Sequence, residues 1–425
     1  MLGNLLWLVM GKGFGGICSL GYLAILSRSL GLKGFGHFSL IFATAQALVA
    51  IVGFQTWQAV VRYGTVHIET RDWDKFGRVA MLGGVLDAFG ALAGCILAYL
   101  IFEVFGHALG ISDHYTTVGF AFNCAIVWAR VSAPTGVLRA LGRFDRAVYV
   151  EALVPIARLL GAAAIWLAGA SVFRFLVAWA LIDLLSALVY WLVAWRTCPH
   201  GLTRANLQRW RDALAENPGI ARFLAITYVG PSLEAVTKQG PMLLVGAVLG
   251  TSSAGLYRLA DQVVQGFGKL STLAARSIYS EIARAHAAIG VAEFRRLALR
   301  TSVVGAVAGV VTLIMALTGG KVLLEIIGGA DFERGALIMM PLAIAVGLDL
   351  ASVAYEPVMH AAGHPFLVLA ARLCGIVALG VAMTLLITQG IVATAWAVAI
   401  GGMVSYLVLS LLVRRVLYSM EHAIA

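Results

Sequence analysis

The sequence predicts an all-α polytopic membrane protein, with about 12 transmembrane helices arranged in two six-helix bundles. Three observations support this prediction. The chain of 425 residues is 61% hydrophobic and only 12% charged, and its mean hydropathy of +0.91 lies far above that of soluble globular domains. Apolar runs long enough to cross a bilayer recur along the whole chain. A sequence motif of the first half returns in the second half.

The apolar runs are long enough, at about 20 residues each, to form transmembrane helices. They cover residues 5–27, 37–60, 80–104, 116–138, 147–169, 174–195, 223–249, 255–280, 298–318, 334–359, 365–388 and 392–413. A mostly polar stretch separates the sixth run from the seventh, and we expect a loop with one short helix there. The predicted organisation is an N-terminal bundle over 1–196, a cytoplasmic linker over 197–222 and a C-terminal bundle over 223–425.

An internal repeat relates the two halves. Leu30-Gly31-x4-Gly36-x-Phe38 recurs as Leu249-Gly250-x4-Gly255-x-Tyr257, at an offset of 219 residues, and the same offset aligns Gln46 with Gln265. The glycines permit the tight turns that return the chain into the bilayer. Because each half holds an even number of spans, the repeats are parallel and related by a pseudo-two-fold axis along the membrane normal. We expect a substrate path between them.

The basic residues predict the orientation of the chain. One side of the membrane has only five in its loops, namely Arg28, Lys33, Arg174, Lys321 and Arg334. The loops and C-terminus on the other side have eighteen, namely Arg62, Arg71, Lys75, Arg78, Arg139, Arg143, Arg146, Arg196, Arg204, Arg209, Arg211, Arg222, Arg284, Arg295, Arg296, Arg300, Arg414 and Arg415. Positively charged loops stay in the cytoplasm. The asymmetry therefore predicts that both termini of this multi-pass protein are cytoplasmic, in an inner or plasma-type membrane.

Composition and motifs argue against several other functions. The net charge of +10 reflects topology and anionic headgroups in a membrane protein, so we expect no nucleic-acid partner. Gly11-Lys-Gly13-Phe-Gly-Gly16 matches a dinucleotide-binding pattern, but no strand precedes it. His360 and His364 have no obvious third metal ligand nearby. No nucleophile or acid/base constellation stands out. We therefore expect no cofactor, no metal site and no enzymatic activity.

The eighth predicted span has a polar stripe along one side. The stripe consists of residues at helical spacing, namely Arg258, Asp261, Gln262, Gln265, Lys269, Thr272 and Arg276. It is ~27 Å long, close to the thickness of a bilayer's hydrocarbon core. Lys269 lies roughly 16 Å along the axis from Arg258, so its ammonium group requires a bundle interior or a water-filled cavity. The stripe therefore predicts a lined cavity, with a purely structural polar seam as the alternative.

The seventh predicted span contains a candidate gate or coupling-ion site. Glu234 and Lys238 are four residues apart, between Pro231 and Pro241. Two prolines predict a helix whose backbone is broken twice, and broken helices line binding sites in transporters. The alternative is a self-neutralising ion pair with only a structural role.

These features together resemble the polysaccharide transporter family, the Wzx-type O-antigen and exopolysaccharide flippases of the multidrug/oligosaccharidyl-lipid/polysaccharide exporter superfamily. The resemblance rests on the twelve spans in two halves, the L-G-x4-G-x-[FY] turns and the Arg139-Ala-Leu-Gly-Arg143 turn. It implies a central cavity between the bundles, where Lys269 and Arg276 meet a lipid-linked diphosphate. Many relatives carry an Asp shortly before the L-L-x-G of helix 7. Here Lys238-Gln-Gly-Pro241 precedes Leu243-Leu-Val-Gly246, which leaves Glu234 as the candidate counter-ion.

The function that this resemblance implies is translocation of an undecaprenyl-diphosphate-linked oligosaccharide from the cytoplasmic to the periplasmic leaflet. Membrane lipids, a polysaccharide polymerase and chain-length machinery are the further partners that it implies. Efflux of drugs or organic cations is the main alternative, but cations favour an acidic lining, whereas the stripe is net positive. A membrane-embedded polysaccharide polymerase is the alternative from another class. It needs a sizeable outer loop for its catalytic residues, and the outer loops here are short.

Overall fold

A computed structural model describes residues 2–104, 106, 110–283, 291–362 and 364–422, and within these ranges the chain is helical and contains no strand. The helices of the first half are α1 (Leu2–Val52), α2 (Thr56–Glu69), α3 (Trp73–Tyr99), α4 (Thr116–Trp128), α5 (Ala133–Ala140), α6 (Phe144–Ala168), α7 (Val172–Thr197), α8 (Arg204–Gln208) and α9 (Asp212–Glu216). Those of the second half are α10 (Ile220–Leu249), α11 (Thr251–Ala283), α12 (Val291–Gly328), α13 (Ala336–Ala351), α14 (Tyr355–Ala361), α15 (Pro365–Leu386) and α16 (Ile391–His422).

Every predicted span falls on helix, but three of them are interrupted. The second span passes from α1 into α2, the fourth from α4 into α5, and the tenth from α13 into α14. In the described residues, 8 helical segments are long and apolar enough to span a membrane. One of these, Gly15–Glu69, covers the second predicted span and residues 15–27 of the first. The fourth predicted span is not among these segments because α4 is only 13 residues long. The seventh and eighth spans, on α10 and α11, are not among them because their polar residues lower the mean hydropathy.

The chain folds into two compact units. The first comprises Met1–Leu30 and His37–Ala235, and the second comprises Gly31–Gly36 and Val236–Ala425. The first unit therefore includes the beginning of α10, and the second includes a six-residue segment of α1.

The repeated glycines have the turn conformation that the sequence predicts. Gly31 has φ +62° and interrupts α1, and Gly250 has φ +84° between α10 and α11. Within the second unit, the other two repeat glycines form a close backbone contact. A Cβ on Gly36 would lie 1.9 Å from the carbonyl oxygen of Thr251, and one on Gly255 would lie 2.7 Å from that of Leu32. Thr251 follows Leu32 by the repeat offset, so the contact is reciprocal between the repeats.

The prediction that the seventh helix is broken twice is wrong, because α10 is a single continuous helix over Ile220–Leu249. A proline inside a helix removes one hydrogen bond, and other contacts can hold the segment helical. Pro231 and Pro241 each leave the carbonyl group four residues earlier without its helical amide donor. Those carbonyl groups belong to Thr227 and Thr237.

Two irregular segments of the first unit are joined by a polar network around Arg130. This side chain donates hydrogen bonds to the carbonyl oxygens of Val49 (3.1 Å) and Phe54 (2.8 Å), at the break between α1 and α2. Asp87 on α3 accepts from the Thr56 hydroxyl (2.9 Å) and from the Ala133 amide at the start of α5 (2.8 Å). The network thus supplies partners for backbone groups that both helix breaks leave without helical ones.

The stretch between α7 and α10 packs against the C-terminal end of α2 and the N-terminal end of α3. It contains two short helices, where we expected one. His67 and Asn217 form a buried hydrogen bond of 2.9 Å, and Arg78 forms a salt bridge of 2.7 Å with Glu216. Phe76, Ala213 and Ile220 belong to one buried apolar cluster there. The stretch is therefore a folded part of the first unit.

Candidate functional site: the polar face of α11

The helix α11 has two chemically different faces. Its apolar face is buried, with Leu259, Ala260, Val263 and Val264 all at most 1% exposed. Packing against neighbouring helices of the second unit fixes this face. The Thr312 hydroxyl on α12 donates a hydrogen bond of 3.0 Å to Ser271, and a Cβ on Gly268 would lie 2.8 Å from Val346 on α13. These contacts orient the opposite, polar face away from the core of the second unit.

The polar face remains accessible over the part that the structure describes. Arg258, Asp261, Gln262 and Gln265 are partly exposed, and Lys269 is exposed. Such residues on a membrane-spanning helix need water or a polar partner, because an isolated charge in hydrocarbon is costly. The structure therefore places these five sequence-predicted residues together on one accessible surface.

Asp261 is the acidic residue of this surface. It interacts with three basic side chains of the second unit, namely Arg258, Lys269 and Lys238 of α10. The side-chain amide of Gln265 donates to its carboxylate at 3.5 Å, at the long end of hydrogen-bonding distance. Sequence spacing alone placed Lys238 in a separate gate. The structure adds it to the charges around Asp261.

The remaining candidate residues lie elsewhere or outside the described side chains. The backbone of Arg276 is part of α11, but its side chain lies outside the described residues, as does that of Thr272. Gln46 lies partly exposed on α1 in the first unit. Glu234 is partly exposed and Lys238 exposed, one turn apart on α10. The proposed pairing of these two residues stays a prediction.

Other charges inside the predicted spans form pairs that the sequence did not reveal. Arg158 on α6 donates to both carboxylate oxygens of Asp183 on α7 at 2.8 Å, and its guanidinium lies 5.6 Å from the centroid of the Trp179 ring. Arg372 on α15 donates to Glu356 on α14 at 2.8 Å. Glu151 on α6 has Tyr190 on α7 as a hydrogen-bond partner. These pairs neutralise charge within single units.

The sequence matches a known family over much of its length. The model of the polysaccharide biosynthesis protein family matches residues 1–279. A curated relative, the inner membrane protein YghQ of Escherichia coli (strain K12), is 26% identical over 272 residues, which are 62% of this chain and 76% of that protein.

Solved structures share the fold over nearly the whole chain. An inward-facing multidrug resistance MATE family transporter of the MOP superfamily aligns with a TM-score of 0.72 at 15% identity, over 97% of this chain and 96% of that one. The lipid II flippase MurJ in an inward closed conformation gives 0.64 at 13% identity, over 96% and 87%. A MOP superfamily transporter from Pyrococcus furiosus gives 0.60 at 17% identity, over 97% and 94%.

These likenesses confirm the predicted fold class, because the chain aligns over nearly its whole length with MATE transporters, which have 12 transmembrane helices in two bundles. The neighbours are transporters and flippases, which agrees with the expectation of a non-enzymatic function. The protein therefore belongs to the polysaccharide biosynthesis protein family and is a multi-pass membrane protein that shares its fold with transporters of the MOP superfamily.

Proposed function

We propose that this protein is a flippase for an undecaprenyl-diphosphate-linked oligosaccharide repeat unit, such as that of an O-antigen or exopolysaccharide. It moves the repeat unit from the cytoplasmic to the periplasmic leaflet by alternating access, with both of its own termini in the cytoplasm. The observation that carries this proposal is the accessible, net positive face of α11 in a chain of the polysaccharide biosynthesis family.

The physical chemistry of the cargo fits such a face. A diphosphate with a sugar chain cannot enter hydrocarbon unaided, because its charges and hydroxyl groups would lose their hydrogen bonds to water. Cationic side chains replace that hydration for the phosphates, and charge-assisted hydrogen bonds are the stronger ones. The polyprenyl tail is apolar and can stay in the lipid throughout. The transporter therefore needs a polar path only for the headgroup.

Each polar residue has a role in this path. Lys269 and Arg276 hold the diphosphate during loading from the cytoplasmic side, and Arg258 lies near the release side. Gln262, Gln265 and Gln46 can donate to and accept from sugar hydroxyl groups. Several weak sites in series let an anion move on, where one deep site would trap it. Glu234 and Lys238 on α10 act as a gate or coupling element.

The sign of the charge separates this function from cation efflux. The fold is shared with multidrug MATE transporters, and also with the lipid II flippase MurJ, so the fold favours neither. For the transporter from Pyrococcus furiosus, reverse polarity of the binding pocket suggests a different function. On α11 the basic residues Arg258, Lys269 and Arg276 outnumber the single acid, Asp261, over residues 251–276. A net positive lining attracts phosphate and repels organic cations.

Reconstitution of the purified protein tests the proposal. A fluorescent undecaprenyl-diphosphate-linked oligosaccharide is placed in the outer leaflet of proteoliposomes. As the glycan crosses to the inner leaflet, it should become inaccessible to a lectin added outside. We expect transport by the wild type, a reduction of about tenfold or more in Lys269→Gln, and partial activity in Lys269→Arg. Protein-free liposomes give the background rate. Transport of ethidium without transport of the glycolipid would instead identify a cation exporter and overturn the proposal.

A further inference from the structure

The described polar face of α11 contains a carboxylate where a purely anion-binding surface would have none. From Thr251 to Lys269, Asp261 is the single acidic residue of the sequence. It is partly exposed, so it belongs to the accessible face and is not hidden in the core of the second unit. An acid among phosphate-binding cations weakens the binding of the cargo, so its presence needs a physical reason.

The geometry makes Asp261 the common partner of the cations in this unit. Arg258 precedes it by one helical turn and Lys269 follows it by about two, and Lys238 of α10 also acts on it electrostatically. Gln265, one turn further along, directs its side-chain amide at the carboxylate. One carboxylate therefore interacts with basic groups from two helices.

The charges of this cluster balance those of the proposed cargo. Arg258, Lys269, Arg276 and Lys238 against Asp261 and Glu234 leave a net charge of +2 on the polar residues assigned to the path. A diphosphate esterified at both ends has one ionisable oxygen on each phosphorus, hence roughly two negative charges at neutral pH. The occupied cluster is then close to neutral. Without the carboxylate, the same cluster would keep an excess positive charge after the cargo has bound.

We propose that Asp261 is an internal counter-ion that competes with the diphosphate for these cations and so sets the rate of cargo release. The inference rests on the proposed flippase function and specifies one residue of that site. In the empty state Asp261 interacts with the basic side chains. As the diphosphate leaves, the carboxylate regains those interactions, which offsets part of the cost of separating the cargo from its cations.

Loss of the Asp261 charge should tighten binding of the cargo and slow turnover. Asp261→Asn is nearly isosteric and keeps a side-chain oxygen for the Gln265 amide. We expect its affinity for the polyprenyl-diphosphate-linked cargo to rise about tenfold, because one repulsive unit charge is removed from a partly hydrated site. The transport rate at saturating cargo should fall, because release becomes slower. The gain in affinity should shrink at high salt, since ions screen exposed charges.

A charge-balanced double variant separates this effect from a loss of folding. Asp261→Asn combined with Lys269→Gln removes one charge of each sign and leaves the cluster at the wild-type net charge. Its affinity should return toward that of the wild type, whereas Lys269→Gln alone should bind more weakly. The matched control is Asp349→Asn on α13, which changes an acid of the same unit that is not among the partners of Asp261. It should bind like the wild type.

The test measures binding of an undecaprenyl-diphosphate-linked oligosaccharide, the doubly esterified cargo, to each purified variant in lipid nanodiscs, together with transport rates in proteoliposomes. Tighter binding and slower transport by Asp261→Asn, with recovery of affinity in the double variant, support the inference. Equal or weaker binding by a folded Asp261→Asn overturns it, while binding by the wild type leaves the flippase function intact. No binding by the wild type, with capture of tetraphenylphosphonium that Asp261→Asn abolishes, overturns both and makes Asp261 a cation-binding residue.

Discussion

Asp87 offers the sharpest test of how the first unit holds its interrupted helices. Its two carboxylate oxygens accept from the Thr56 hydroxyl and the Ala133 amide, and it is a partner of Arg130. Hydrogen bonds to a charged group contribute about 1.5–3 kcal/mol each, and breaking a buried ion pair costs about 3–5 kcal/mol. These contributions overlap, and Asp87 and Arg130 are partly exposed. We therefore expect Asp87→Ala to lower the free energy of unfolding by about 3 kcal/mol.

Graded variants make the magnitude testable. Asp87→Asn keeps one acceptor oxygen but presents an amide donor to a second donor, so it should lose about 2 kcal/mol. Thr56→Val removes one hydrogen bond and should lose about 1 kcal/mol. The assay heats a fluorescent fusion in detergent and follows the folded fraction by size-exclusion chromatography. The midpoints should rank wild type, Thr56→Val, Asp87→Asn and Asp87→Ala from high to low. A midpoint of Asp87→Ala equal to that of the wild type would refute a structural role for this network.

Three further predictions concern α10, the repeat contact and the topology. If Glu234 and Lys238 form one neutral unit, Glu234→Gln or Lys238→Met alone should reduce expression and export more than both changes together, because one change leaves an orphan charge; additive effects would contradict the pairing. Gly36→Ala should cost about 1–3 kcal/mol, because its Cβ would meet the Thr251 carbonyl oxygen, whereas Gly16→Ala, with open space, should be tolerated. Single cysteines at Asp113 and at Asp331, in the segment around Gly329, should react with impermeant maleimide from outside the cell; cytoplasmic labelling would contradict the topology.

The sequence predicts the spans and the repeat turns well because both depend on local properties. Hydropathy follows from composition over about 20 residues. A glycine with positive φ is the residue that a tight return turn requires, which is why Gly31 and Gly250 could be predicted from the motif. The polar face of α11 was likewise predictable, because helical periodicity places residues on faces without knowledge of neighbouring helices.

The pairing of side chains between helices could not be predicted in the same way. Arg158 pairs with Asp183, 25 residues away on α7, and this pairing depends on how the two helices are rotated about their axes. The expectation of two breaks failed at Pro231 and Pro241 because each proline removes only one helical hydrogen bond, and the helix continues through both positions. The segment after Val52 contains no proline, yet the helix stops there. Gly53 is a local signal in the sequence for this break. The structure gives its physical reason, because a Cβ at this position would overlap the guanidinium of Arg130.

The cationic path along α11 is the central claim, and one measurement in cells tests it most directly. An export-deficient strain is complemented with the wild type or with the Lys269→Gln, Arg276→Gln double variant, and membrane protein levels are checked by blotting. We expect the double variant to insert normally but to lose most glycan export, with lipid-linked precursor accumulating in the cytoplasmic leaflet. Arg258→Gln, near the outer end of the helix, should have a milder effect. Normal export by a well-expressed double variant would contradict the cationic path.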